Sequence, residues 1–216
     1  MTPSKYLALL LLAGFGALAG CNVVAPVAMV IEGPPTVPAV YELDPERPTV
    51  IFIDDRHNVL PKRSLRTDIA RETEKVFLDS KIIFAGNLID HRSAMRVAAR
   101  EDPNDPLSIV EVGRRVGAEV VIYISFNDFA ITRDRVSVHP LCNAEVMIFD
   151  TVSNTKLLPQ GEGAYPMRTS LPTKTSPYGS LSIAEKSETE RELASGVGLR
   201  LARLFFEYEM DRDLTN

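Results

Sequence analysis

The stretch "TVIFID", Thr49–Asp54, begins the regular alternation of strands and helices in this chain. It is a short apolar run with β-branched residues, bounded by polar ones, and this pattern predicts a buried strand. A helical segment, "SLRTDIARETEKVFLDS", follows at residues 64–80, with Ser64 as the predicted N-cap and an apolar face formed by Leu65, Ile69, Val76 and Phe77. "KIIFAG", Lys81–Gly86, then predicts a second strand. Strand, helix and strand within about 35 residues predict a right-handed βαβ unit with parallel strands.

The remainder of the chain continues the alternation of helices and strands. Residues 90–102 and 106–118 predict two short helices, the first ending before Pro103 and the second burying Leu107, Val110 and Val116. "EVVIYISFNDFAI", residues 119–131, is the longest β-rich run. "DRVSVHPLCNAEVMIFD", residues 134–150, alternates strictly, with Val136, Val138, Cys142, Ala144, Val146 and Ile148 on one face.

The last third of the chain predicts a hairpin, a loop and a helix. Pro140 interrupts the alternating run, so we expect a bulge or an edge there. "TVSNTK" is a turn, residues 156–165 are a candidate return strand, and 168–182 read as an exposed Ser/Thr-rich loop. A helix over about Ile183–Tyr208 closes the chain, with a stripe of Leu193, Val197, Leu201, Leu204, Phe205 and Tyr208. Residues 49–216 therefore predict one α/β domain, in which a mixed sheet of about four to five strands packs against three to four helices.

The first 20 residues predict a signal peptide, because one lysine precedes an apolar run that is too short to span a bilayer. The run ends in Leu18-Ala19-Gly20-Cys21, which resembles the lipobox of bacterial lipoproteins. That resemblance implies acylation of the Cys21 thiol and cleavage before it, so that several acyl chains hold the protein on a membrane. Asn22, in place of aspartate, implies the outer membrane. The alternative is an ordinary cleaved signal with an incidental cysteine.

Residues 21–48 predict a proline-rich membrane tether, extended and largely without regular structure. Its prolines are Pro26, Pro34, Pro35, Pro38, Pro45 and Pro48. The apolar residues between them, such as Val23, Val24 and Ile31, are unusual in a free linker. Part of the tether is therefore expected to pack on the domain or to lie at the membrane surface.

Charge and cysteine content exclude some classes of function. Without residues 1–20 the formal net charge falls from -5 to -6, because Lys5 is the one charged residue removed. An acidic chain without a basic stretch is a poor binder of nucleic acid. After lipidation of Cys21, Cys142 is the remaining thiol, so no internal disulfide can form. Its place on an apolar strand face predicts a buried hydrophobe rather than a nucleophile.

The polar turn "IDDRHN" places Asp54, Asp55, Arg56 and His57 directly after the first strand. Sites in α/β proteins often lie at strand carboxyl ends, and these side chains can transfer protons. The structural interpretation, which we favour, is that the Asp and Arg side chains pair with each other or cap nearby amides. Neither the three histidines, His57, His91 and His139, nor the glycines show the spacing of metal or phosphate-loop motifs. We therefore predict no metal, no cofactor and no catalytic residue.

A second resemblance covers residues 49–208. "SIVEVGRRVGAEVVIYISFNDF" is similar to a helix–turn–strand segment shared by CsgG, LpoB and the amino-terminal domain of TolB, with Gly113, Gly117, Ala118 and Val121 as anchors. "NAEVMIFDTVSNTKLL" resembles the hairpin of the same group: Asp150 and Thr155 fit it, whereas Asn154 and Lys156 depart from its usual turn glycine. The resemblance implies a mixed sheet backed by helices that is used for binding rather than for chemistry.

Together these features predict a lipid-anchored, non-enzymatic envelope protein that faces the periplasm. It would bind another envelope component, at the outer membrane or as a second copy of itself. The predicted contact is the loop around Tyr165, Met167, Arg168 and Tyr178; its alternative is a disordered connector. Two other functions stay open: an enzyme that uses the Asp54–His57 turn, and a secretion-pore subunit of the curli-channel type, which would need a membrane hairpin within residues 159–182.

Overall fold

The computed structural model describes residues 35–100 and 105–209. Cys21, the signal peptide and the first half of the predicted tether, residues 21–34, lie outside the described residues. The strands are β1 (Thr36–Val37), β2 (Thr49–Ile53), β3 (Leu88–Ile89), β4 (Val120–Ala130), β5 (Leu141–Asp150), β6 (Thr155–Leu158), β7 (Tyr165–Ser170) and β8 (Tyr208–Glu209). The helices are α1 (Ser64–Asp79), α2 (His91–Ala98), α3 (Ile109–Val116) and α4 (Ile183–Ala202), with a 3-10 turn at Tyr178–Ser180.

A six-stranded mixed sheet forms the centre of the domain and confirms the predicted α/β class. Its order is β3-β2-β4-β5-β6, with β7 also paired to β5. The β2–β3 and β2–β4 pairs are parallel, as the βαβ prediction requires, and the remaining pairs are antiparallel. β5 is long enough for two partners on one edge: β7 pairs with its first half and β6 with its second.

Strand β2 is buried on both faces, which explains its uninterrupted apolar sequence. Ile51 and Ile53 belong to the larger core, which the helices α1 and α4 cover. Val50 and Phe52 belong to a smaller core with residues of α2 and α3. The sheet is therefore a middle layer between two helix layers. The end of β2 lies between the pair α1 and α4 on one side and the pair α2 and α3 on the other.

The second predicted strand, "KIIFAG", is wrong. Ile82 and Ile83 are buried, but they lie in the turn after α1, where Lys81 has a φ of 55° and the Ile82 N–H donates to the Phe77 carbonyl oxygen. The parallel strand is β3, which follows this turn. The run is apolar because its isoleucines fill the end of the core beside α1. An apolar run of this length is equally typical of a buried turn and of a strand paired in the sheet.

The alternating run 134–150 is a strand only from Leu141 onward. Val136 is 64% exposed, contrary to the prediction, because the Asp134 carboxylate accepts the backbone N–H groups of Val136 and Ser137 and holds them in a turn. Pro140 directly precedes the strand, and the irregularity of the β4–β5 ladder occurs between Phe126 and Asp128 instead.

The predicted loop 168–182 is wrong in its first part, because β7 occupies Tyr165–Ser170. β7 lies within residues 159–182, the segment in which a pore subunit would need its membrane hairpin, and it pairs with β5 of the central sheet. Among the described residues, no helix is both long and apolar enough to cross a membrane.

The start of α1 and the end of α4 differ slightly from prediction. Arg63, not Ser64, occupies the N-cap position of α1, and no side chain caps that end. The last helix starts as predicted, with Ser182 and Glu185 forming a capping box, but it ends at Ala202, so Tyr208 lies outside it.

The compact domain runs from Ala39 to Phe206 and so begins before the predicted boundary at residue 49. The backbone N–H groups of Val40 and Tyr41 donate to the Leu204 carbonyl oxygen. The Arg47 guanidinium contacts carboxylates of Glu119 and Asp150, each at 3.0 Å. The end of the predicted tether is thus part of the folded domain. Among the described residues, 35–38 and 207–209 belong to a separate small unit, in which β1 pairs antiparallel with β8.

Candidate functional site

The turn that follows β2 is held by hydrogen bonds, as its structural interpretation predicts. The buried Asp54 carboxylate accepts the Tyr123 hydroxyl at 2.8 Å and pairs with Arg56 Nε at 2.9 Å. Asp55 accepts the backbone N–H of Val59 at 2.7 Å. Burial, and then the Asp54 charge, raise the pKa of Tyr123, so its hydroxyl stays a donor. Both aspartates therefore have structural partners.

This turn lies at a point where the order of the parallel strands reverses, because β3 and β4 flank β2 on opposite sides. Such a reversal leaves a crevice at the carboxyl ends of the strands, which is where open α/β sheets bind ligands. A cleft of about 530 Å³ opens there, with a smaller cavity of about 160 Å³ beside it. The cleft is lined by the turn, the first turn of α1 and the face of α2, and the smaller cavity by His57 and polar residues of β4.

The histidines lie apart from one another. His57 is exposed, His139 Nδ1 is 2.7 Å from the Thr173 hydroxyl, and His91 is buried. His91 lies near Glu74 and Asp90, and ligand atoms of the three residues are within 4.8 Å of one another, a donor set that metal ions accept. No ligand spacing in the sequence indicates this cluster, because Glu74 belongs to the preceding helix.

Hydrogen bonds within the protein account for that cluster. Glu74 Oε1 is 2.9 Å from both the backbone nitrogen and Nδ1 of His91, and Asp90 accepts the Arg92 N–H as the N-cap of α2. These contacts fix the first residue of α2 to α1.

The four predicted interaction residues do not share one surface. Met167 is 3% exposed and belongs to the core, and Tyr165 packs against the same core, so the prediction that they form an exposed loop is wrong. Alternation along β7 turns Arg168 to solvent. Tyr178 is half-buried in the 3-10 turn, where the Lys186 ammonium lies 4.2 Å from its ring centroid.

Arg168 lies on a part of the sheet that we call the open sheet face. α2 and α3 pack on the half of the sheet formed by β2, β3 and β4, and α4 packs against β5 and β7 from the opposite side. The open sheet face is the polar surface of β4, β5 and β7 on the side of the sheet opposite α4. It is formed by Asn127, Asn143, Glu145, Pro166 and Arg168, all exposed or partly exposed. Asn143 and Arg168 are direct cross-strand neighbours, and the Asn127 amide donates to Glu145 at 3.0 Å.

Cys142 is 1% exposed, as its pattern predicts. Burial raises the pKa of its thiol to about 12, with a smaller contribution from the charge of Asp128. The thiol is therefore protonated at neutral pH and is a poor nucleophile.

No protein-family model and no curated protein matches this sequence. Solved structures similar to the fold include a hypothetical protein from Chlamydia trachomatis, at 19% identity over 74% of this chain and 91% of that one, with a TM-score of 0.40. PelC from Paraburkholderia phytofirmans, a dodecamer, is 10% identical over 79% and 97%, with a TM-score of 0.42. The LpoB C-terminal domain from Salmonella enterica is 14% identical over 58% and 84%, with a TM-score of 0.33. These are distant similarities, and we transfer no function from them.

Proposed function

We propose that this chain is a non-enzymatic lipoprotein of the bacterial envelope, anchored through Cys21 on the periplasmic side of the outer membrane, and that it works by binding an envelope protein or a second copy of itself. The sequence Leu18–Cys21 supports the anchor. At least two acyl chains would make the attachment stable, since one chain holds only marginally. Attachment concentrates the domain at the membrane and favours contacts with neighbours there.

The open sheet face is the observation that carries the binding role. It joins β4, β5 and β7, which antiparallel ladders hold together, with one register shift between Phe126 and Asp128, so its side chains have a rigid support. Amide, carboxylate and guanidinium groups dominate it, which suits a reversible interface more than a permanent one. Pro166 has no N–H, which disfavours further strand pairing along the outer edge of β7. We therefore place the contact on the face, around Arg168, rather than on the strand edge.

Photocrosslinking from two positions tests this proposal. A photoreactive residue replaces Arg168 on the open sheet face, and in a matched variant it replaces Lys75, which is exposed on α1 on the opposite side of the sheet. Both full-length variants are irradiated in intact envelopes. We expect a discrete adduct from position 168 and none from position 75. The adduct mass separates a second copy of the chain from a different protein.

Two results would contradict the binding role. One is the absence of an adduct from position 168 while the variant is present at normal level in the membrane. The other is the same adduct from positions 168 and 75, because the contact would then not involve a particular face. The enzymatic alternative is tested separately by His57→Ala, since Asp54 has structural partners and its removal would perturb the fold.

A further inference from the structure

The cleft at the end of β2 contains an unusual concentration of arginine. Its volume of about 530 Å³ falls in the range of small-molecule sites, about 300–1,000 Å³. Among the described residues, the charged ones that line it are Arg56, Arg66, Arg92, Arg96, Asp54 and Asp55. In this described part of the lining arginines outnumber aspartates, in a chain whose overall charge is negative.

The two aspartates do not neutralise the other three arginines. Asp54 pairs with Arg56, and Asp55 accepts backbone N–H groups of its own turn. Within residues 35–100 and 105–209, Arg66, Arg92 and Arg96 have no carboxylate partner. The side-chain Nε of Arg66 is buried without any hydrogen-bond partner, although buried donors in native proteins are nearly always paired.

Arg66 and Arg92 also occupy positions that helix electrostatics disfavours. Arg66 lies in the first turn of α1, which has neither an acidic residue nor a side-chain cap. Arg92 lies in the first turn of α2, and Arg96 follows it by four residues. Cations at a helix N-terminus and like charges at i,i+4 are both unfavourable. An anion in the cleft would offset both effects.

We propose that the cleft binds the phosphate group of a small molecule. A phosphate group carries the charge opposite to the excess of arginine, and guanidinium groups bind its oxygens in pairs. The uncapped first turn of α1 adds backbone N–H donors of the kind that bind phosphate at helix N-termini. Met95, Ala98 and Ala99 also line the cleft and provide an apolar surface for the rest of the ligand. This inference does not depend on the lipid anchor or on the open sheet face.

Calorimetric titration of the purified full-length protein with inorganic phosphate, at constant ionic strength, tests the proposal. We expect saturable binding that Arg66→Gln weakens at least tenfold and that Arg96→Gln also weakens. Arg71→Gln is the matched control, because Arg71 is an exposed arginine of the same helix that does not line the cleft. It removes the same charge, so binding in this variant should stay within twofold of the wild type. Circular dichroism confirms that each variant is folded.

Parallel titrations with glycerol 3-phosphate and with glycerophosphoglycerol separate the sources of the phosphate. Preference for the monoester indicates a soluble phosphorylated metabolite, and equal binding of the diester indicates a phospholipid headgroup; both support the phosphate cleft. Two results would overturn it: no saturable binding of phosphate to the wild type, or equal weakening by Arg66→Gln and Arg71→Gln, which would show nonspecific attraction by charge.

Discussion

The close packing of α1 against α4 depends on Gly198, and Gly198→Ala tests it. A Cβ at this position would lie 2.5 Å from the carbonyl oxygen of Ile69 and 2.8 Å from the Cβ of Glu72. Neither atom can rotate away, because the first is backbone and the second is fixed to it. The Thr73 hydroxyl oxygen lies 2.9 Å from the Ile69 carbonyl oxygen and 3.1 Å from that of Gly198, so its one hydrogen is shared between the two helices.

Two opposing effects set the size of the change. Replacing glycine by alanine inside a helix stabilises by about 1 kcal/mol. Forcing the helices apart costs about 1–3 kcal/mol for overpacking, and weakening the Thr73 hydrogen bonds costs about 1 kcal/mol more. We expect the free energy of unfolding to fall by about 1–3 kcal/mol.

Urea unfolding of the full-length protein, followed by circular dichroism, measures this change. Gly196→Ala is the control, since it lies in the same helix but its added Cβ would meet only side-chain atoms, Leu171 Cδ2 at 3.3 Å and Thr169 Cγ2 at 3.5 Å. Its stability should stay unchanged or rise by up to about 1 kcal/mol. If Gly198→Ala proved as stable as Gly196→Ala, the described crossing of α1 and α4 would be wrong.

Three further substitutions or treatments test other parts of the structure. Cys142 should resist alkylation at pH 8 and react rapidly only in denaturant, because with a pKa of about 12 on the order of one thiol in ten thousand is ionised; rapid reaction of the native protein would contradict its burial. Arg47→Gln should lower the free energy of unfolding by about 1 kcal/mol at pH 7. Backbone hydrogen bonding and Arg47 lower the pKa of Asp150. The stabilisation by the Arg47–Asp150 pair is therefore present above the ordinary pKa of aspartate and is lost as the pH falls through the lowered pKa. The loss of stability in Arg47→Gln, measured by urea unfolding, should shrink below about pH 4, and a loss independent of pH would contradict the pairing. Tyr123→Phe leaves the buried Asp54 carboxylate without its 2.8 Å donor and should cost about 1–2 kcal/mol in the same assay; an unchanged midpoint would show that the bond contributes nothing.

The sequence predicted the fold class because burial and periodicity agree along most of the chain. β2 is apolar on both faces since helices cover both faces of the sheet. A strand of this kind is typical of a parallel sheet, and β2 pairs in parallel with β4. Two of the glycines named from the sequence are explained by the structure: a Cβ on Gly113 would collide with the Val121 side chain, and Gly117 ends α3 with a φ of 78°. Ile82 is buried in the core but lies in a turn rather than in a strand of the sheet, so the strand predicted from its apolar segment was wrong.

The candidate sites were harder to predict, because they depend on contacts between distant segments. Asp54 was identified from its place after a strand, but its partner Tyr123 is 69 residues away. Arg66 and Arg96 are unremarkable in sequence, and only the packing of α1 and α2 around the end of β2 brings them to one cleft. The interaction prediction selected a Ser/Thr-rich segment, and the pairing of β7 with β5 left Arg168 exposed while it buried Met167.

Mass spectrometry of the mature protein, purified from membranes without protease treatment, tests whether Cys21 carries the proposed lipid anchor. The proposed function predicts an amino terminus at Cys21 that carries diacylglycerol and a further acyl chain, and a protein that stays with the membrane in high salt and is released by detergent. A mature protein with an unmodified residue 21, or one that buffer alone washes from the membrane, would contradict it.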